Sequence, residues 1–275
     1  GGGWLGDLGF IDYAGSGAVH LTGGTLGLMA AIVIGPRVGK FSGKNKIPRA
    51  FFGHSIPLSV IGAWLLVFGW FGFNIGSNVV SSLQEVHVEL AWVSITTAMA
   101  MAGGLFGAAA TSRGHVLTSM IGLLSGAVSI CSGAHIMHPI AAFITGIIAG
   151  IITTLTFGLL EFKLHIDDAL AVFPVHGACG IWGLIAAPLF GHEKLGGHPH
   201  YAMTTSEWAQ QLGVQAIGAL AIFGTCVVLG FILFKTIDKI GILRAPKQQE
   251  LFGLDIGYHK TYAYPEEEAE KPFFR

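Results

Sequence analysis

The sequence predicts an all-α polytopic membrane protein of about seven transmembrane helices, and three observations support that fold class. First, 52% of the residues are apolar, 11% are charged and 41 are glycine, which is too apolar for a soluble domain of this size. Second, the chain contains seven apolar runs long enough to cross a bilayer. Third, one polar pattern occurs twice, in the first run and in the sixth. Such a duplication is typical of helical bundles built from inverted repeats.

The apolar runs predict a transmembrane bundle over residues 1–234, followed by a polar cytoplasmic tail at 235–275. The predicted helices are 16–36, 55–80, 88–110, 116–134, 139–161, 169–190 and 208–234. Glycine is frequent inside all of them, which suits close helix packing in lipid. Pro57 and Pro139 stand near the start of the second and fifth runs, where proline costs a helix little.

The basic residues orient this bundle. If the runs cross in alternate directions, all of the 15 Lys and Arg residues except Lys194 lie on one side. That side, which includes the 37–49 loop and the tail, is predicted to be cytoplasmic. The N-terminus and the 191–207 loop are then outside, and we expect the protein to lie in the plasma or cytoplasmic membrane. Because the basic residues are few and most lie in the 37–49 loop and the tail, no nucleic-acid partner is expected.

The repeated pattern occupies Asp12 to Leu28 and Asp168 to Leu184. Each copy has an Asp, a His eight residues later, a Gly four residues after the His, and then Gly-Leu. The His and both Gly share one helix face, and each Asp can cap its helix start. Five crossings separate the copies, so alternation makes them antiparallel, as in an inverted repeat with a path between its halves. Only the last helix of the first half is recognisable, so we expect an N-terminally truncated chain that cannot form a sealed pore alone.

His20 and His176 are the strongest functional candidates. An ionisable group inside an apolar helix is costly, and it usually faces a partner or a wet cavity. Neutral imidazoles can hydrogen-bond to each other and to a small polar solute, and either can hold a proton transiently. The alternative is that each His bonds a nearby carbonyl for packing alone.

A second candidate site lies in the segment GWFGFNIGS. Trp70, Phe73 and Ser77 follow helical spacing, so one stripe offers two aromatic faces, which attract small cations, and one hydroxyl, which can accept a hydrogen bond. The alternative is an aromatic belt with core packing. Asp12 can favour a cation electrostatically on the outer side, and helix capping is its alternative role. Histidines near the predicted interfaces are expected to be solvated, namely His54, His115, His135, His138 and those of the 191–207 loop.

Four segments resemble the ammonium transporter (Amt/MEP/Rh) family, and more closely its Amt/MEP branch. They are DYAGSGAVHLTGG from Asp12, GWFGFNIGS from Gly69, IDDALAVFPVHGACGIWG from Ile166 and LRAPKQQELFGLDIGYHKTYAYP from Leu243. Members of that family have eleven transmembrane helices in two inverted five-helix repeats plus a last helix. The resemblance therefore implies that the seven runs correspond to helices five to eleven.

The resemblance also implies residue roles and partners. His20 and His176 would be the twin pore histidines, Phe73 a pore-gating phenylalanine, Ser77 the outer-site hydroxyl, and Asp12 an aspartate near the outer recruitment site. The implied substrate is ammonium or ammonia, with methylammonium as an analogue, and the implied assembly is a homotrimer in the lipid bilayer. A PII-type regulator would meet the cytoplasmic tail. No cofactor or metal is implied, and no enzymatic activity.

Two positions depart from the family pattern. Ala171 stands where the family often has an aspartate, and Pro174 stands where it has a glycine. Proline removes a backbone donor, so Pro174 is expected to kink the helix just ahead of His176.

These observations together predict a transporter that recruits extracellular ammonium, deprotonates it and conducts ammonia past both histidines, with the net transported species left open. One alternative is a membrane electron carrier in which His20 and His176 are axial haem ligands. Another is an ammonium sensor on the same fold. For a sensor, the tail after Lys235 is expected to be too short to form an output domain.

Overall fold

The computed structural model describes residues 3–51, 53–80, 90–199 and 202–264, with the backbone alone at 78–80, and this part of the chain is mostly helical. The helices are α1 (Trp4–Asp7), α2 (Thr22–Ile34), α3 (Ile56–Val80), α4 (Leu90–Thr111), α5 (Val116–Ile130), α6 (Pro139–Gly158), α7 (Cys179–Phe190), α8 (Thr205–Ile240) and α9 (Lys247–Phe252). Four segments form π-helical turns, Ser16–Leu21, Leu159–Leu164, Phe173–Ala178 and Asp255–His259, and Glu193–Leu195 forms a 3-10 turn. Two short strands, β1 (Phe41–Ser42) and β2 (Ile47–Pro48), pair antiparallel in the loop after α2.

By length and composition, six of the described helical segments can cross a membrane, and they identify an integral membrane protein. They are Ser16–Ile34, Ile56–Ser77, Leu90–Thr111, Pro139–Leu164, Phe173–Phe190 and Thr205–Ile240. The fourth predicted run, 116–134, yields the 15-residue α5, which is apolar but shorter. The last helix runs six residues beyond the predicted bundle boundary at 234, to Ile240. It ends where Gly241 adopts a positive φ of 79°, a conformation that favours glycine.

Glycine allows α4, α5 and α6 to pack backbone against backbone. A Cβ atom at Gly104 would overlap the carbonyl oxygen of Gly122 in α5, and a Cβ at Gly146 in α6 would overlap the carbonyl oxygen of Ala100. The close approach of small residues replaces the hydrophobic effect as a source of helix association in lipid. These three helices therefore form a tight scaffold against which the rest of the bundle is placed.

Ion pairs join the connecting segments at the Lys- and Arg-rich end. Arg37 donates from Nε and Nη2 to Asp167, each bond 2.8 Å long. Burial acts to raise the pKa of Asp167, but the hydrogen bonds from Arg37 outweigh it and hold that pKa below its usual value. Lys40 and Glu161, both nearly buried, form a second pair. The loop after α2 is thereby fixed to the loop before α7.

The segment after α8 packs back onto the bundle. Glu250 in α9 accepts a 2.6 Å hydrogen bond from the backbone N–H of Val38, and this bond is the main cause that lowers the pKa of Glu250. Arg244 donates to the carbonyl oxygens of Ile34 and Pro36 and pairs with Glu250. The beginning of the predicted tail is therefore attached to the end of α2. The remainder of the tail, 265–275, lies outside the described residues.

Candidate functional site

The two predicted histidines lie in two equivalent π-helical turns, and an aspartate holds the start of each. Asp12 accepts hydrogen bonds from the N–H groups of Gly17 and Ala18, the shortest 2.8 Å. Asp168 accepts from the N–H groups of Val172 and Phe173, both 2.8 Å long. The carboxylates satisfy donors that a helix start leaves unpaired. Each His therefore lies in a turn whose first N–H groups bind the Asp of the same copy. The repeated pattern predicted a helix capped by Asp, but not a π-helical turn.

Backbone geometry before each turn follows the same repeat. Gly15 has a φ of 94° and its equivalent, Ala171, has a φ of 54°, and the left-handed conformation disfavours a side chain. Pro174 is the second residue of the turn Phe173–Ala178, where no backbone donor is needed. The expectation that Pro174 kinks the helix ahead of His176 is therefore wrong, because a proline at a helix start interrupts no hydrogen bond.

The two copies of the repeat cross in opposite directions. A Cβ at Gly17 would lie 3.2 Å from Leu184, one at Gly180 would lie 2.9 Å from Leu21, and one at Gly27 would lie 2.7 Å from Val172. As residue numbers rise from Gly17 to Gly27 in the first copy, the contacting residues of the other copy fall. The helices are therefore antiparallel, as an inverted repeat predicts. Gly24 and Gly180, which are equivalent, each permit the helix of one copy to touch the turn of the other.

This crossing brings the two imidazoles together. The Nδ1 atoms of His20 and His176 are 3.2 Å apart, within hydrogen-bond distance. The rings are stacked, with centroids 5.2 Å apart and planes inclined by 20°. One nitrogen must donate and the other must accept. The Nε2 atom of His20 is buried and has no hydrogen-bond partner among the described residues, so it is available to a small polar solute.

Two aromatic residues of α3 cover His20. Trp70 stacks on the His20 ring at 5.2 Å between centroids, and Phe73 lies at 5.5 Å. Trp70 is buried, with 8% of its surface exposed, and Phe73 is 37% exposed. The sequence predicted that the Trp70 ring attracts a cation, and in the structure this ring is already stacked on the His20 imidazole. Ser77 does not join this cluster through a hydrogen bond; its hydroxyl donates to the carbonyl oxygen of Phe73, 2.8 Å away.

Polar residues that the sequence analysis did not single out hold the segment around Asp12. Ser132 donates a 2.6 Å hydrogen bond to the carboxylate of Asp12. The side-chain amide of Gln215 in α8 is fully buried; it accepts from the N–H of Ile11 and donates to the carbonyl oxygens of Ile11 and Leu184. The only signal for these residues was a polar side chain inside an apolar run, which does not reveal its partner.

Three histidines expected to be solvated are buried instead. His135 is 5% exposed, His192 is 7% exposed and His198 is 3% exposed, because the 191–207 loop folds onto the turn after α5. His135 stacks on Tyr13 at 4.7 Å, and His198 meets the edge of Trp92 at 4.8 Å. Burial first, and then the nearby His198, lower the pKa of His135 from 6.5 to about 3. Distance from the apolar runs was thus a poor guide to exposure.

The Nδ1 atoms of the pair are not placed to serve as the two axial ligands of a haem. A metal bound to both rings would hold the two ligating nitrogens about 4 Å apart, because metal–imidazole bonds are about 2 Å long. The Nδ1 atoms are instead 3.2 Å apart, and stacked rings leave no gap for a porphyrin. A direct imidazole–imidazole contact suits a solute that exchanges hydrogen bonds with both rings.

Comparison with known proteins relates this arrangement to one family. The model of the Ammonium Transporter Family matches residues 1–264. Ammonium transporter Amt1 of Methanocaldococcus jannaschii is 44% identical over 268 residues, which cover 97% of this chain and 65% of that protein. Ammonium transporter 1 member 2 of Arabidopsis thaliana is 35% identical over 276 residues, 93% of this chain and 53% of that protein.

Solved structures give the same relation. A structure described as a sensor Amt protein superposes with a TM-score of 0.83 at 32% identity, covering 94% of this chain and 62% of the other. Candida albicans Mep2 gives a TM-score of 0.71 at 28% identity, covering 89% of this chain and 54% of the other. The chain therefore spans between about half and two thirds of the length of these relatives.

Proposed function

The chain belongs to the ammonium transporter family, and we propose that the protein transports ammonium by passing ammonia along a pore past His20 and His176. The observation that carries this proposal is the imidazole pair, with Nδ1 atoms 3.2 Å apart, on equivalent positions of two antiparallel repeats. Inverted repeats place substrate sites where their halves meet, near the middle of the membrane.

The chemistry of the pair suits ammonia better than a metal cation. Ammonia donates and accepts hydrogen bonds, and two neutral imidazoles offer both functions on adjacent atoms. A potassium ion has no proton to give, so an apolar passage rejects it by the cost of desolvation, whereas ammonium can enter as ammonia after it loses its proton. The net species remains open, because the imidazoles can carry a proton as well as ammonia.

Phe73 and Ser77 form the proposed approach to the pair. Phe73 covers His20 at a centroid distance of 5.5 Å, so its ring would have to move for a solute to reach the imidazoles, as expected for a gate. The Ser77 hydroxyl donates to a carbonyl, which leaves its oxygen lone pairs to accept a hydrogen bond from ammonium.

Asp12 is proposed to act by position and charge rather than by direct contact with ammonium. Both carboxylate oxygens already accept hydrogen bonds from backbone N–H groups, and one also accepts from Ser132. Trp70 is proposed to hold the His20 ring in its stacked orientation. The proposed assembly is a homotrimer, with the tail and a PII-type regulator on the cytoplasmic side and the N-terminus outside; the family resemblance and the basic loops support these points.

The pore assignment is tested by methylammonium accumulation in cells that lack their own ammonium uptake and that express a full-length version of this chain. We expect His176→Ala and Ser77→Leu to reduce accumulation, while His54→Ala, a control at an exposed histidine, leaves it unchanged. Each rate is divided by the amount of protein in the membrane. If His176→Ala and Ser77→Leu both accumulate methylammonium like the wild type, the pore has been placed wrongly.

A second candidate function is ammonium sensing, because a structure described as a sensor Amt protein superposes on most of the chain. A sensor would use the same site for recognition without fast release on the other side. Purified protein that binds ammonium in calorimetry but transports none in proteoliposomes would favour sensing. Transport by the wild-type protein would favour the transporter.

A further inference from the structure

Helix α3, which carries Trp70 and Phe73, is attached to the bundle by few buried side chains. In its membrane-spanning window 11% of residues are buried, compared with 50% in the window of α4. Among the described side chains of α3, the buried ones are Ala63, Trp70 and Asn74. Apolar packing alone therefore does little to fix the rotation of α3 about its own axis.

Asn74 supplies directional contacts where packing is sparse. Its amide nitrogen donates a 2.9 Å hydrogen bond to the hydroxyl of Thr97 in α4, and its amide oxygen accepts from the thiol of Cys131, 3.4 Å away. Asn74 is fully buried, and Thr97 and Cys131 are at most 1% exposed. In a water-free setting a buried amide without partners is costly, so these bonds favour one orientation of α3 over its neighbours.

The orientation of α3 matters because of what stands next to Asn74. Trp70 lies one turn earlier on the same face, and Phe73 is the preceding residue. Both rings contact His20, at 5.2 and 5.5 Å between centroids. The side-chain ends of a helix lie about 5–6 Å from its axis, so a rotation of about 20° displaces them by roughly 2 Å. That displacement is enough to separate the rings from the imidazole.

We infer that Asn74 is a positioning residue that sets the rotation of α3, so that Trp70 and Phe73 stay against His20. The inference rests on the proposed function for its effect on transport, but not for its effect on the Trp70 environment. Its partner Thr97 acts in the same way from α4. Asn74 does not contact either imidazole by hydrogen bond, and its role is carried through the helix.

The direct test measures the environment of Trp70. In a protein whose other five tryptophans are Phe, acrylamide should quench Trp70 weakly, because the residue is 8% exposed. We expect Asn74→Leu to raise the quenching constant at least twofold, and Ser59→Ala, a control on α3 whose hydroxyl bonds only within its own helix turn, to leave it unchanged. Unchanged quenching in folded Asn74→Leu protein would overturn the inference.

Transport measurements on a full-length version of the chain supply the second arm. Asn74→Leu should reduce methylammonium uptake per folded molecule about tenfold, and Thr97→Val should reduce it less, because the Cys131 bond remains. The double variant should be no worse than Asn74→Leu, since both changes remove one shared contact. Lower thermal stability with unchanged uptake per folded molecule would show a purely structural role and overturn the inference. If the wild type transports nothing, the proposed function fails, while the quenching arm still decides the role of Asn74.

Discussion

Replacing Gly180 by Ala should disrupt the imidazole pair without touching either histidine. A Cβ at this position would lie 2.6 Å from the carbonyl oxygen of Ser16, whereas ordinary contacts begin at 3.4 Å. The two helices must therefore separate by about 0.8 Å, the difference between those distances. If the separation reaches the rings, the 3.2 Å Nδ1–Nδ1 distance becomes about 4.0 Å, which is too long for a hydrogen bond.

The expected cost follows from these distances. Overpacking of this kind destabilises a folded protein by about 1–3 kcal/mol. Loss of the imidazole–imidazole bond, worth about 1 kcal/mol, should lower uptake about fivefold. Methylammonium uptake per membrane-inserted molecule and the melting temperature in detergent measure the two effects. The matched control is Gly224→Ala in α8, where a Cβ meets nothing within 4 Å. Wild-type uptake and stability in Gly180→Ala would refute the close crossing of the repeats.

Three further changes should alter stability. Ala171→Gly should raise the unfolding free energy by up to about 1 kcal/mol, because Ala171 has a φ of 54°, whereas Gly15→Ala should lower it; detergent melting of both variants checks the pair. Acidification from pH 6.5 to 5 should lower the free energy of unfolding by about 2 kcal/mol. In the folded protein the pKa of His135 is lowered from 6.5 to about 3, so over this range the unfolded chain binds a proton that the folded chain does not. The melting temperature of His135→Asn should therefore depend less on pH than that of the wild type. Arg37→Ala should lower the free energy of unfolding by about 2 kcal/mol. The Asp167 side chain is 3% exposed, and the change removes its cationic partner. A melting temperature equal to that of the wild type would contradict this.

The sequence predicted the number and order of the main helices because burial in lipid demands long apolar runs with internally satisfied backbones. The duplicated pattern around His20 and His176 also predicted antiparallel copies, since alternation of crossings is a topological necessity. It could not predict that the histidines lie in π-helical turns, because the hydrogen bonds that specific N–H groups donate to Asp12 and Asp168 depend on local backbone geometry. The prediction of a kink at Pro174 was wrong because the position of this residue at the start of the turn Phe173–Ala178 depends on the same local geometry.

The burial of polar residues was the other property that could not be predicted from the sequence. His135 and His198 lie outside the apolar runs, so their exposure depends on how the 191–207 loop folds. Asn74 and Gln215 were visible only as polar residues within apolar helices. Their partners come from helices distant in the chain, and a single sequence carries no record of those contacts.

The central claim is that ammonia passes along His20 and His176, and uptake of ¹⁵N-labelled ammonium by proteoliposomes containing a purified full-length version of the chain tests it most directly. The account predicts accumulation by the wild type above that of protein-free vesicles, and loss of most of this excess in the His20→Ala/His176→Ala double variant at equal protein content. Equal accumulation by the wild type and the double variant would contradict the claim.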